Sequence, residues 1–176
     1  MSYYGNYDFY AAYDNLKKAI EIMQPSGSNT DALYYLAKSA ARTSWKEEAV
    51  EAMNHALELT LPTDSVMVRL YKGLAECYKF SLDTKGEISA LKKQYEYSKE
   101  NYLLYTIGCR YYYKNDKDNA LEFLNRYIKN VPEKKRYAYD EAGNIDTSRT
   151  TYYQDALKKI KNLKTDIFFE GKYKSQ

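Results

Sequence analysis

The chain has 176 residues, with 27 basic and 24 acidic side chains for a net charge of +3, and 44% of its residues are hydrophobic. With only 7 Gly and 3 Pro, it is neither collagen-like nor compositionally disordered, and so small a net charge gives no reason to expect nucleic acid. No run of 18 apolar residues occurs, so no membrane-spanning helix is expected. Tyrosine is the anomaly, with 22 residues against one Trp and 5 Phe. A tyrosine fills apolar space while keeping its hydroxyl wet, which suits a thin protein with much half-buried surface.

Residues 1–6 read as a polar lead-in. No basic segment followed by an apolar one opens the chain. As it stands the chain reads as cytoplasmic; with an export signal removed it would be exported or membrane-associated. Asn6 or Asp8 caps a first helix running to about Met23, with Ala12, Leu16 and Ala19 on one face and Pro25 beyond its end. A loop follows at Ser26-Gly27-Ser28-Asn29. Thr30 to Arg42 is the next helix, with Leu33, Leu36, Ala37 and Ala40 apolar.

Ser44 and Glu47 have the S-x-x-E spacing of a capping box, and the helix they open runs to about Leu59. Ala49, Met53, Ala56 and Pro62 each follow Ala12, Leu16, Ala19 and Pro25 by 37 residues. Four matches at one offset make an internal repeat. The helix at 7–24 is therefore the second half of a unit, and 30–62 is a whole one.

Asp64 to Phe80 carries Tyr71, Leu74, Ala75 and Tyr78 at helical spacing. The turn from Ser81 to Lys85 reads as about three residues too long. Thr84 and Glu87 suggest a second capping box, opening a helix to about Ser98 with Ile88, Leu91 and Tyr95. Residues 64–99 form a divergent second unit.

Asn101 to Lys114 carries Leu104, Ile107, Gly108 and Tyr111, all on one helical face. Asn115-Asp116 breaks the pattern and supplies a cap. Asp116 to Asn130 carries Ala120, Leu121, Leu124 and Tyr127, and Pro132 ends it because proline has no amide to donate. Gly108 is expected where the helices cross, with Ala120 as its small partner. After basic Lys134-Lys135-Arg136, residues 137–147 read as a small hairpin or an ordered loop around Asp140-Glu141-Ala142-Gly143-Asn144. Ser148 is expected to cap a last helix to about Ile167, with Lys158, Lys159, Lys161 and Lys164 on its polar face and Phe168-Phe169 tucked back.

The order Leu104, Ile107, Gly108, Tyr111, Ala120, Leu124, Pro132 resembles the tetratricopeptide repeat, a helix–turn–helix unit of about 34 residues. Tyr127 stands where the family usually has a small residue. The resemblance implies an all-α, right-handed α-α superhelix of about three hairpins, with a half unit before them and the helix at 148–167 as a polar-backed cap. It also implies that the first helices line an inner wall where a protein segment or extended peptide binds.

Beside each packing stripe, offsets 0, 3, 7, 10 give the residues that would face a partner. The first unit has Asp31, Tyr34, Lys38 and Ala41, with Arg42 adjacent. The second has Arg69, Lys72, Glu76 and Lys79; the third has Tyr102, Tyr105, Cys109 and Tyr112. The middle is thus basic and the C-terminal end tyrosine-rich, and either a partner or the chain's own last helix must cover those tyrosines. Some family members clamp a C-terminal dicarboxylate with Lys and Asn, but Lys38 and Glu76 occupy the matching Asn positions.

Nothing points to catalysis. The lone histidine, His55, sits one step off its helix's apolar stripe, no phosphate-cradling or nucleophile motif occurs, and no cofactor or metal is expected. Cys77 and Cys109 read as buried thiols rather than a metal site. The leading reading is a non-enzymatic protein-binding adaptor. A self-associating scaffold is the alternative, and RNA binding is disfavoured by the near-neutral charge.

Overall fold

The apolar stripes, separated by turn signals, fold as eight α-helices of 11 to 23 residues in a computed structural model describing residues 8–23, 29–60 and 63–174, with side chains to 171. They are α1 (Phe9–Met23), α2 (Thr30–Ala40), α3 (Lys46–Glu58), α4 (Asp64–Phe80), α5 (Thr84–Ser98), α6 (Asn101–Tyr113), α7 (Lys117–Lys129) and α8 (Tyr152–Lys174). No strand is formed among the described residues; Tyr139 and Ile145 make an isolated antiparallel bridge. The readings placed on residues 1–6, Pro25, Ser26-Gly27-Ser28 and Pro62 lie outside the described residues.

The chain divides into two compact units, Met1–Lys99 and Glu100–Gln176. In the first, α1 to α5 pack each on the next, and α2 also lies against α4. Its core is Leu33, Ala37, Ala49, Met53, Leu70 and Cys77. In the second, α7 packs on α6, and α8 packs on both. Leu104, Ile107, Leu124 and Leu163 fill its core.

Gly108 sits at the α6–α7 crossing. A Cβ there would come within 2.8 Å of Leu124 Cγ and 3.1 Å of the Leu124 backbone nitrogen. The close partner is thus Leu124, not Ala120, although Ala120 is fully buried.

Two turns are copies of each other. Residues 81–83 and 114–116 both put their middle residue in the left-handed region, Leu82 at φ 62° and Asn115 at φ 57°. The Asp83 amide donates to the Tyr78 carbonyl at 2.9 Å, as Asp116 does to Tyr111 at 3.0 Å. Each aspartate then caps the next helix, Asp83 through Gly86 N–H and Asp116 through Asn119 N–H. The turn at 81 is therefore not long; the extra length lies in α4, with 17 residues against 13 in α6. Thr84 is not the cap, and Glu87, its expected partner, is buried in α5.

Other starts also differ from expectation. The box at Ser44 and Glu47 does not form: α3 begins after Trp45 with no side-chain cap. Trp45 instead stacks on Tyr13 at 4.3 Å, so aromatic packing sets where α3 starts. Ser148 bonds to Asp146, not to a helix. The last helix is opened by Thr151 and Gln154, each side chain accepting the other's backbone N–H, at 3.3 and 3.0 Å. That is the same reciprocal box, three residues later than expected.

Residues 137–147 take the hairpin alternative in miniature. Asp140 accepts the Ala142 and Asn144 amides, and Gly143 stands at φ +84°. The last helix runs past Ile167 to Lys174, and every residue from Lys164 to Gly171 is exposed. Phe168 and Phe169 do not tuck back; they are 58% and 52% exposed. The helix caps the unit through buried Ala156, Ile160 and Leu163, but its outer face is not uniformly polar: Leu157 and the two Phe residues line an open cleft with Lys161 and Lys164.

Candidate functional site

The 3.6-residue period places Asp31, Tyr34 and Lys38 on one side of α2, where they meet Arg69 and Glu76 of α4. Asp31 pairs with Arg69, whose guanidinium lies 5.0 Å over the Tyr34 ring. Lys38 Nζ is 5.4 Å from the same ring centre and 3.3 Å from Glu76 Oε2. Arg42 donates to the Lys38 carbonyl, lies 3.5 Å from Glu76 Oε2 and stacks over Phe80 at 4.8 Å. Glu76 Oε2 is buried and satisfies hydrogen-bond geometry to neither cation. Tyr34 is buried beneath this ladder, and its hydroxyl pKa is pushed up by burial.

The expected basic middle is therefore partly neutralised from within. Lys72 and Lys79 stand outside the ladder and are exposed. Along the stripe that helical spacing defines, Lys72 and Lys79 join Lys38, Arg42 and Arg69, five cations to the two carboxylates Asp31 and Glu76. Ala41 is buried and presents nothing to a ligand.

In the second unit the tyrosine stripe of α6 meets α8. The Tyr105 hydroxyl donates to Asp155 Oδ2 at 2.7 Å, and its ring lies 5.0 Å from that of Tyr152. Lys159 bonds to Asp155 at 2.5 Å and lies over the rings of Tyr112 and Tyr113 at 5.6 and 5.9 Å. Lys159 is thus folded against α6 rather than on an outer polar face. Burial alone would lift the Asp155 carboxyl, but the bonds from Lys159 and Tyr105 outweigh it and hold it below the usual carboxylate range. Burial and the Asp155 hydrogen bond together push the Tyr105 hydroxyl up. Of the tyrosines expected to face a partner, Tyr105 and Tyr112 face the chain's own last helix, while Tyr102 remains 48% exposed.

Tyr102 borders a cleft of about 850 Å³ inside the second unit. Its other rings, Tyr127 and Tyr152, come from α7 and α8. Asn101 in its wall donates its amide N–H to the Tyr127 carbonyl at 3.1 Å. A carbonyl only accepts, so this bond fixes the Asn101 orientation and leaves its Oδ1 as an acceptor, buried and without a partner. The stripe offsets pointed to Tyr102. Tyr127 comes to it through the packing of α7 on α6, and Tyr152 through the packing of α8 after the connection over residues 131–151.

Cys77 and Cys109 are free and buried, and burial pushes the Cys77 thiol up to about 12, so it stays protonated. His55 is exposed on α3. Among the described residues no group of His, Cys, Asp or Glu could hold a metal ion, and no helix is long and apolar enough to cross a membrane.

Successive helical hairpins with copied turns, and first helices laid side by side, define an all-α, tetratricopeptide-like repeat fold. Among solved structures, the crystal structure of MamA is similar, with a TM-score of 0.58 over 98% of this chain and 96% of that one. At 18% identity that likeness shows the fold alone. No protein-family model matches the chain, and no curated protein matches its sequence.

Proposed function

We propose that this chain is a non-catalytic interaction module that captures a segment of another protein on the α2–α4 face. One observation carries the reading: five cations share that face with two carboxylates, and Lys72 and Lys79 stand exposed beside a ladder that already holds the others in place. Preordered Arg and Lys side chains around a tyrosine suit the carboxylates of an extended acidic segment at small entropic cost. The stripe residues Lys38, Arg42, Arg69, Lys72 and Lys79 would form this contact over the buried Tyr34, with Glu76 holding Lys38 and Arg42 in place. Two buried free thiols suit a reducing compartment, in keeping with work in the cytoplasm.

The test is affinity capture from the native cell with mass-spectrometric identification, using the natural chain beside Lys72→Glu/Lys79→Glu. The partner should be lost from the double variant while its thermal melt is unchanged. Equal recovery by both proteins would remove the α2–α4 face from consideration.

Self-association as a scaffold has its own observation, the exposed Leu157, Phe168 and Phe169 of α8. Large apolar side chains gathered on one surface mark an interaction site. Light scattering over a concentration series decides it. A scaffold grows with concentration and stops growing in Phe168→Asp/Phe169→Asp, whereas an adaptor stays at one mass.

A further inference from the structure

The cleft walled by Tyr102, Tyr127 and Tyr152 is not needed for the charged face of the first unit, and its chemistry differs. We infer that it is a second binding site, which takes a proline-rich segment of a partner in the extended polyproline conformation. The inference rests on the interaction-module reading and adds to it the kind of sequence the partner carries.

Size comes first. About 850 Å³ is within the range of functional ligand clefts. Next are the rings. Tyr102 and Tyr152 pack on each other at 5.0 Å and a tilt of 57° and share a hydrogen bond, and with both about half exposed their outer ring faces stay open to an incoming group. Tyr127 and Pro132 continue that apolar wall. Pyrrolidine rings pack on such walls, and a polyproline helix reaches them already ordered.

Charge then eliminates the competitors. Three tyrosines are the makings of an ammonium cage, but Lys135 lines the same cleft and repels a cation. A phosphate or carboxylate ligand meets Glu100. One charge of each sign leaves the cleft suited to a neutral occupant.

Polar groups complete the match. A polyproline helix makes no internal hydrogen bonds, so its carbonyls seek donors. The Thr150 hydroxyl at the cleft is a donor of that kind, whereas those of Tyr102 and Tyr152 are hydrogen-bonded to each other. The unpartnered Asn101 oxygen in the wall lacks an N–H, which a non-prolyl residue between prolines would bring.

The probes are a decaproline peptide and a glycine–serine peptide of equal length, titrated into the whole isotope-labelled chain and followed by amide NMR. Decaproline should saturate, with its largest shifts at 100–102, 127–135 and 150–152, and the glycine–serine peptide should not. Tyr102→Ala/Tyr152→Ala should weaken decaproline about tenfold or more, since each ring removed takes a stacking contact with it. Both rings are half exposed, so the variant keeps its fold; its circular-dichroism melt verifies this. Lys72→Glu/Lys79→Glu should bind decaproline as the natural chain does. Equal binding of both peptides, equal binding by the folded tyrosine variant, or saturation by tetramethylammonium instead would overturn the inference. A chain that ignores decaproline yet loses its captured partner through the lysine variant refutes this site and leaves the α2–α4 face standing.

Discussion

The α2–α4 face and the α6–α8 face occupy corresponding places in the two units, yet they are held by different chemistry. In both, a first helix of a hairpin lies beside the helix that follows the hairpin. In the first unit the contact is a ladder of ion pairs, Asp31 with Arg69 and Glu76 with Lys38 and Arg42. In the second it is tyrosine, with Tyr105 on Asp155 and Tyr112 beneath Lys159. The difference teaches which face is spent. A tyrosine stripe is costly to leave in water, so the chain's own last helix covers most of it. Charged side chains hydrate well, so the first-unit face can leave Lys72 and Lys79 exposed to water.

Breaking the second unit at its tightest point should have the largest effect. Gly108→Val places carbon against the Leu124 side chain and its backbone nitrogen, so the two helices must move apart, and it should cost about 3 kcal/mol by denaturant titration. Gly73→Ala in the first unit meets only the flexible end of Met53 and the Tyr34 ring, and should cost about 1 kcal/mol.

Next comes the tie between α6 and α8. Tyr105→Phe removes a hydrogen bond to a carboxylate and should destabilise the second unit by about 1.5 kcal/mol. The same carboxylate gives a pH signature. Its folded-state pKa is depressed, so its contribution is present above the unfolded value of about 4 and lost as pH falls through the lower folded one. Asp155→Asn should therefore flatten the stability profile on the acid side of about pH 4.

The copied turns predict equality rather than contrast. Asp83→Ala and Asp116→Ala should each cost about 1 kcal/mol, measured on melts of the whole chain. A twofold disagreement would show that the two turns do different work. Smallest in stability is Lys72→Glu/Lys79→Glu, expected within about 0.5 kcal/mol of the natural chain because neither lysine joins the ladder. Its effect should be confined to capture.

Much of the helical order was legible because each element answers to local physics. Helical periodicity found the stripes, and Asp116 and Asp8 cap where their side-chain oxygens can reach the next amides. Ser44 and Thr84 misled for a matching reason: a capping motif states what a side chain can do, not what its neighbours leave it to do. Trp45 had a better partner in Tyr13, and Asp83 stood one residue nearer the turn. At the candidate site, spacing placed Tyr34, Lys38 and Arg69 on faces but was silent about Glu76 neutralising two cations. Pairing across helices depends on which helix arrives opposite, and that is a long-range fact.

The sequence by itself determined an all-α chain of helical hairpins, because hydrophobic period and turn chemistry act within a few residues. Only the tertiary structure decided that α8 covers Tyr105 and Tyr112, that Phe168 and Phe169 stay in solvent, and that Tyr102, Tyr127 and Tyr152 share a cleft. Those outcomes depend on contacts between residues 25 to 50 positions apart, such as Asn101 with Tyr127 and Tyr105 with Asp155, and no local rule carries that far.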